Sequence, residues 1–192
     1  MLARRGRSSC ARDRSGNGVI DQGLWFERLF PSGLPVTLMP AIVERLRGTV
    51  IRIRAFIDET SPTVLTSRMG SKWSIQEHIG HLLDLEPLWA GRLTDLLHQT
   101  PTLSAADLTN RATHEAGHNE ASIATLIQKL DDSRNDLVGR LEGLTEKQAE
   151  FASLHPRLKT RMRAPDLAYF VAEHDDHHLA TMRRLRRALQ KD

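Results

Sequence analysis

Cys10 is the only cysteine in this chain of 192 residues. One thiol excludes an intrachain disulfide and any cysteine-rich zinc site. No apolar run approaches the ~20 residues that span a bilayer, and the N-terminus lacks the apolar stretch of a secretory signal. There is no glycine-rich phosphate loop, no internal repeat and no convincing strand alternation. Aromatic residues make up only 5% of the chain, and none is interleaved with the arginines near the N-terminus, as a single-strand nucleic-acid binder would require. These absences lead us to expect a cytoplasmic protein with no membrane or nucleic-acid partner. The length suits one domain with an apolar core and is short for two.

The net charge of +3 is misleading as a guide to partners. Arg4, Arg5, Arg7, Arg12 and Arg14 against Asp13 give residues 1–18 a charge of +4, which leaves −1 for the rest of the chain. Residues 1–20 are therefore read as a disordered basic tail, rich in Arg, Ser and Gly. An expression remnant or sequence upstream of the true start explains it better than a nucleic-acid arm. Residues 21–192 are read as the folded domain.

What is present is helical periodicity. Leu24, Trp25, Phe26, Leu29 and Phe30 suggest a short helix or apolar lead-in on the core, broken by Pro31, Gly33 and Pro35. A first long helix is expected after Thr37 as cap and Pro40 in the first turn, with Ile42, Val43, Leu46, Val50, Ile53 and Ile57 inward. A second runs from about Ser71 to Leu97, capped by Ser71 or by Ser74 with Glu77, and Pro87 should kink or break it. Residues 98–118 read as an irregular crossing. A third helix spans about Asn119 to Leu144, and Thr145 with Gln148 opens a short one ending near Phe151. The last opens near Pro165 and presents Leu167, Phe170, Val171, His174, His178, Met182 and Leu185 inward. Four long helices with one long crossing connection indicate an all-α four-helix bundle.

The phrase Glu173-His174-Asp175-Asp176-His177-His178 carries the most chemistry. His174 and His178 share a helix face, one turn apart, and two neutral imidazoles so placed can chelate a divalent metal. Surface or hydrogen-bonded histidines are the alternative. A buried imidazole without a partner costs about 1–3 kcal/mol, so an inward pair asks for one. A third ligand could come from the second helix, where spacing alone does not separate His78 from His81.

The segment Trp73-Ser74-Ile75-Gln76-Glu77-His78-Ile79-Gly80-His81-Leu82, followed far downstream by the H-x3-H phrase, resembles the DinB superfamily of DinB/YfiT-like metal-dependent hydrolases. The resemblance covers roughly residues 25–189 as an arrangement of helices, and its specific part is confined to these two phrases. It implies an up-down-down-up four-helix bundle and a facial metal site at His81, His174 and His178, with open positions for water or substrate. His81 fits the family phrase better than His78, because it follows a small residue and precedes an apolar one. On that reading His78 stays a neighbour of the site. His177 points about 100° away around its helix and lies behind the ligands or on the rim. Asp84, one turn after His81, is placed to accept a hydrogen bond from a ligating imidazole; a solvated helix charge is the alternative. The family includes thiol transferases and thiol-dependent isomerases. The resemblance therefore implies a small-molecule substrate, metal-assisted hydrolysis or S-transfer, and a low-molecular-weight thiol as co-substrate. Zinc is the first expected metal and nickel the second; a homodimer is the assembly to test.

His114-Glu115-Ala116-Gly117-His118 matches the zinc-protease pattern H-E-x-x-H, but Gly117 lies within it and the flanks are polar, so the required helix is missing. His114, His118 and Asn119 are instead read as substrate contacts on a pocket wall. Trp73, Trp89 and Tyr169 are read as packing, and no chemistry is assigned to His155-Pro156-Arg157. No catalytic residue is named. The competing function is a metal-free, non-catalytic helical module for small-molecule binding or stress response, with structural histidines.

Overall fold

The computed structural model describes residues 22–190; the proposed N-terminal tail lies outside them. Four long helices dominate: α1 (Met39–Asp58), α3 (Ile75–Leu97), α5 (Ile123–Glu142) and α7 (Ala164–Leu189). Short helices α2 (Pro62–Thr66), α4 (Arg111–Glu115) and α6 (Glu146–Ala149) join them, with 3-10 turns at Trp25–Glu27, Val36–Leu38 and His118–Glu120. Among the described residues no helix is long and apolar enough to cross a membrane.

Cross-helix pairs fix the directions. Arg45 meets Glu173 and Asp176 while Arg186 meets Glu59, so α1 and α7 run parallel. Arg47–Glu142 and Arg54–Asp131 make α1 and α5 antiparallel. Arg134–Glu86 and Arg140–Thr94 make α3 and α5 parallel, and His78–His178 with Trp89–Phe170 sets α3 against α7. The bundle is therefore up-down-down-up. The parallel α3 and α5 require the long crossing at residues 98–122.

Ser74 caps α3 in a reciprocal capping box with Glu77, so the helix starts at Ile75 rather than Ser71. Burial pushes the Glu77 carboxyl up, but Arg68 and the Ser74 N–H outweigh it and hold the carboxyl below its ordinary value of 4.5. A carboxyl with a lowered folded pKa stabilises above its unfolded pKa, and the contribution fades as pH falls through the folded value. Glu77→Gln should therefore cost about 0.5–1 kcal/mol at pH 7. In guanidinium unfolding the difference from wild type should narrow as pH falls below the ordinary carboxylate value.

Several expectations need correction. Thr37 does not cap α1; it sits in the 3-10 turn before it, and Leu38 is the N-cap without a side-chain bond. α3 runs through Pro87 without breaking; the ring lies on the exposed face, where one missing N–H costs least. In the lead-in only Trp25 and Phe30 pack on the core, and Leu29 is 97% exposed. α5 starts at Ile123, later than Asn119. The segment after α6 forms a small hairpin, β1 (Ser153–Leu154) with β2 (Arg161–Met162), that sequence reading missed. Leu154 also exchanges backbone bonds with Pro101 and Leu103, which pins the crossing connection to this hairpin.

The apolar core is in two parts. Between them lies a buried polar layer with one residue from each long helix: Thr49, Glu86, Arg134 and Asp175, none more than 3% exposed. The Arg134 guanidinium donates to Glu86 at 2.5 Å and also to Asp175, and Thr49 Oγ1 donates to Asp175 at 2.8 Å. Burial pushes the Arg134 pKa down, but the two carboxylates outweigh it and raise it. The layer borders His174.

Candidate metal centre

One turn of α7 separates His174 from His178, and their Nε2 atoms stand 3.2 Å apart. His81 on the antiparallel α3 faces them, with ring centroids 5.4 Å from His174 and 4.8 Å from His178. One ligand atom from each of the three lies within 4.8 Å of the others, and all three residues are buried.

Hydrogen bonds decide which nitrogens are left to converge. Thr113 Oγ1 donates to Asp84 at 2.8 Å, so it accepts from His81 Nδ1 at 3.0 Å. His81 Nε2 then carries the lone pair. His178 Nδ1 is engaged by His78 Nδ1 at 2.8 Å, which leaves His178 Nε2. His174 Nδ1 is buried with no partner among the described residues, and its Nε2 faces that of His178. Burial disfavours the imidazolium form throughout. His81 is pushed down to about 4 despite Asp84, and His174 and His178 go well below the usual value, with neighbouring rings adding to the effect. Each of the three rings thus turns its Nε2 toward one volume, and the neutral form can present a lone pair there. Two imidazole nitrogens about 2.0–2.1 Å from one ion, at angles near 100–110°, stand about 3.1–3.4 Å apart, so the 3.2 Å pair fits such an ion.

The remaining predicted residues divide clearly. His78 supports His178 directly. Asp84 reaches His81 only through Thr113, and it accepts directly from His118 Nε2 at 2.9 Å. Gly80 makes room for this contact: a Cβ there would stand 2.2 Å from the His118 ring. His177 lies at the cavity rim, its ring bonded to Gln22. His114 is exposed against Trp73, and Asn119 accepts from Ser74 at the head of α3. None of His114, His118 and Asn119 lines the cavity: His118 bonds Asp84 on α3, Asn119 bonds the α3 cap Ser74, and His114 packs on Trp73. The protease pattern is also broken, since α4 ends after Glu115 and Gly117 is left-handed at φ +60°, so its two histidines share no helix.

A cavity of about 440 Å³ opens over the three imidazoles. Trp25, Phe26, Trp73, Trp89 and Phe170 supply its aromatic wall, and the crossing contributes Ala105 to Leu108. Sequence reading missed Thr113, whose hydroxyl carries no periodic signal. It also missed Arg92, although a basic residue in step with Leu85, Trp89 and Leu96 on an inward stripe was a legible sign.

The DinB superfamily model matches residues 45–182, well over half of the chain and both histidine segments. The chain belongs to the DinB superfamily. Among solved structures it is similar to YfiT from Bacillus subtilis, a probable metal-dependent hydrolase with an unusual four-helix bundle topology, at 18% identity. That match covers 85% of this chain and 94% of the other with a TM-score of 0.72, and it establishes the fold. None of the curated protein sequences matches the chain. For this DinB-superfamily protein the bundle topology agrees with the expected one.

Proposed function

We propose that this DinB-superfamily protein is a metal-dependent hydrolase in which His81, His174 and His178 hold one divalent cation, zinc first and nickel second. The observation that carries the reading is the convergence of three buried, neutral imidazoles beneath an open aromatic cavity. The description of YfiT as a metal-dependent hydrolase supports the same class. A cation bound there would lower the pKa of a coordinated water to about 7 and supply a nucleophile at neutral pH. The protein's own part is orientation. Thr113, backed by Asp84, fixes the His81 tautomer, and His78 holds the His178 ring through its Nδ1. The aromatic wall limits bulk water around the reacting group.

Purification without chelator should yield close to one equivalent of zinc or nickel per chain. Hydrolysis of a panel of aryl esters and amides should disappear with EDTA and return with the metal. No retained metal after dialysis against zinc or nickel, with the same melting curve in EDTA, would overturn the proposal and favour the metal-free binding module. Turnover that appears only when a low-molecular-weight thiol is added would assign S-transfer to the same site. Thr113→Val removes the link between His81 and Asp84 without changing side-chain size much. It should weaken metal binding by about 10–100-fold, read by competition with a chromogenic chelator.

A further inference from the structure

Beside the three histidines the cavity wall carries two guanidiniums that no carboxylate contacts among the described residues, Asp95 acting on Arg92 only from a distance. Arg92 is only 2% exposed. It donates through Nε to the Ser104 carbonyl at 2.9 Å, and its guanidinium lies 5.4 Å from the Trp89 ring centroid. Arg157 packs over Phe26, and its Nη2 is buried with no hydrogen-bond partner among the described residues. Neither arginine forms an ion pair among those residues. Among the described residues the only carboxylate lining the cavity is Asp107, and its oxygens are occupied by Thr109 and the Arg111 N–H.

His155 lies between them and cannot satisfy its neighbours. Its Nδ1 accepts the backbone N–H groups of Arg157 and Leu158 at 3.2 and 3.1 Å. In a neutral ring the proton is then on Nε2. That N–H confronts Arg92 Nη1, another donor, at 3.2 Å. The opposite tautomer would set Nδ1–H against two backbone donors instead. The indole N–H of Trp89 is likewise buried without a partner among the described residues. Donors outnumber acceptors here, and the charges repel. Burial and Arg157 push Arg92 down to about 10, and burial with the two guanidiniums pushes His155 down to about 4.

We propose that Arg92, Arg157 and the His155 Nε2–H form an oxyanion subsite. It holds a carboxylate or phosphate at one end of an apolar substrate whose other end reaches the three histidines. One oxyanion accepts from all three groups at once and removes the donor conflict, and planar guanidiniums suit either anion. Trp89 links the two ends, since its ring centroid is 5.7 Å from that of His174 while Arg92 lies over the same ring. Placement of the reactive end rests on the metal-site reading above; the oxyanion subsite does not.

The test uses the full-length protein stripped of metal with EDTA and then dialysed free of the chelator, so that a carboxylate cannot bind through metal and no other polycarboxylate competes. Calorimetric titrations compare 4-phenylbutyrate and 3-phenylpropyl phosphate with the neutral 4-phenylbutyramide. Either anion should bind at least about tenfold more tightly than the amide, and whichever binds better names the anion. Arg157→Met should lose that preference, while Lys159→Met, a nearby exposed cation, keeps it. Arg157→Met should also melt at or above the wild-type temperature, because it removes a like charge beside Arg92; Arg157→Gln serves if the methionine variant does not fold. Amide binding equal to that of both acids, no binding of either acid, or undiminished acid binding by Arg157→Met would each overturn the proposal. Loss of the metal site alone would leave these titrations unchanged.

Discussion

His174→Ala is expected to abolish the metal-dependent part of this protein's stability. A ligand that binds only the folded state at 1,000 times its Kd stabilises it by about 4 kcal/mol. For a domain of this size that corresponds to a rise in melting temperature of about 8–16 °C. Removing one of three imidazoles leaves two ligands that cannot hold the ion at such a concentration ratio. Without metal, the same substitution has opposing effects. It opens a cavity beside Trp25 and Trp89, but it also removes a buried Nδ1 with no partner among the described residues and one of two Nε2 atoms held 3.2 Å apart. The two proteins should therefore melt close together in EDTA and far apart in zinc. Scanning fluorimetry in both conditions, with elemental analysis, checks this. An equal metal-induced shift in wild type and variant would show that the ion binds elsewhere.

Arg134→Met should destabilise the bundle by about 3–5 kcal/mol, the cost of breaking a buried ion pair from one side. The guanidinium is 1% exposed and lies between Glu86 and Asp175, which are themselves buried. Methionine fills much of the volume but leaves two carboxylates in the middle of the core without a cation. One of them would have to take up a proton to remain buried. Since domains are commonly stable by only 5–15 kcal/mol, the loss should be visible as a large shift in denaturant midpoint. Replacing Glu86 and Asp175 by leucine in the same chain should restore most of it, because no charge is then left to desolvate and the Thr49 hydroxyl keeps the Arg45 carbonyl as an acceptor. Failure of that restoration would show that the layer does more than neutralise itself.

The charged layer marks a boundary in what local pattern encodes. Arg134 lies in step with Leu130, Leu137 and Leu141 on α5, so its inward direction was legible, but its partners were not. Glu86 and Asp175 lie on other helices, 48 and 41 residues away. The same holds at the candidate metal centre. The four-residue spacing of His174 and His178 set them on one face before any fold was known, and Ser74 with Glu77 was one of the two α3 starts that local pattern offered. Convergence of His81 with them required α3 and α7 to run antiparallel at a particular offset.

The amino-acid order alone determined four amphipathic helices, the Thr145 cap of α6, the long crossing and a pair of histidines on an inward stripe. Each depends on residues a few positions apart, whose geometry the helix repeat fixes. Only the tertiary structure decided that Thr113 orients His81, that Gly80 admits the His118 ring, and that His155 and Arg157 join Arg92 in a cavity with too few acceptors. Those meetings bring together segments tens of residues apart. Their relative placement is set by packing of the whole bundle, and no short-range periodicity carries it.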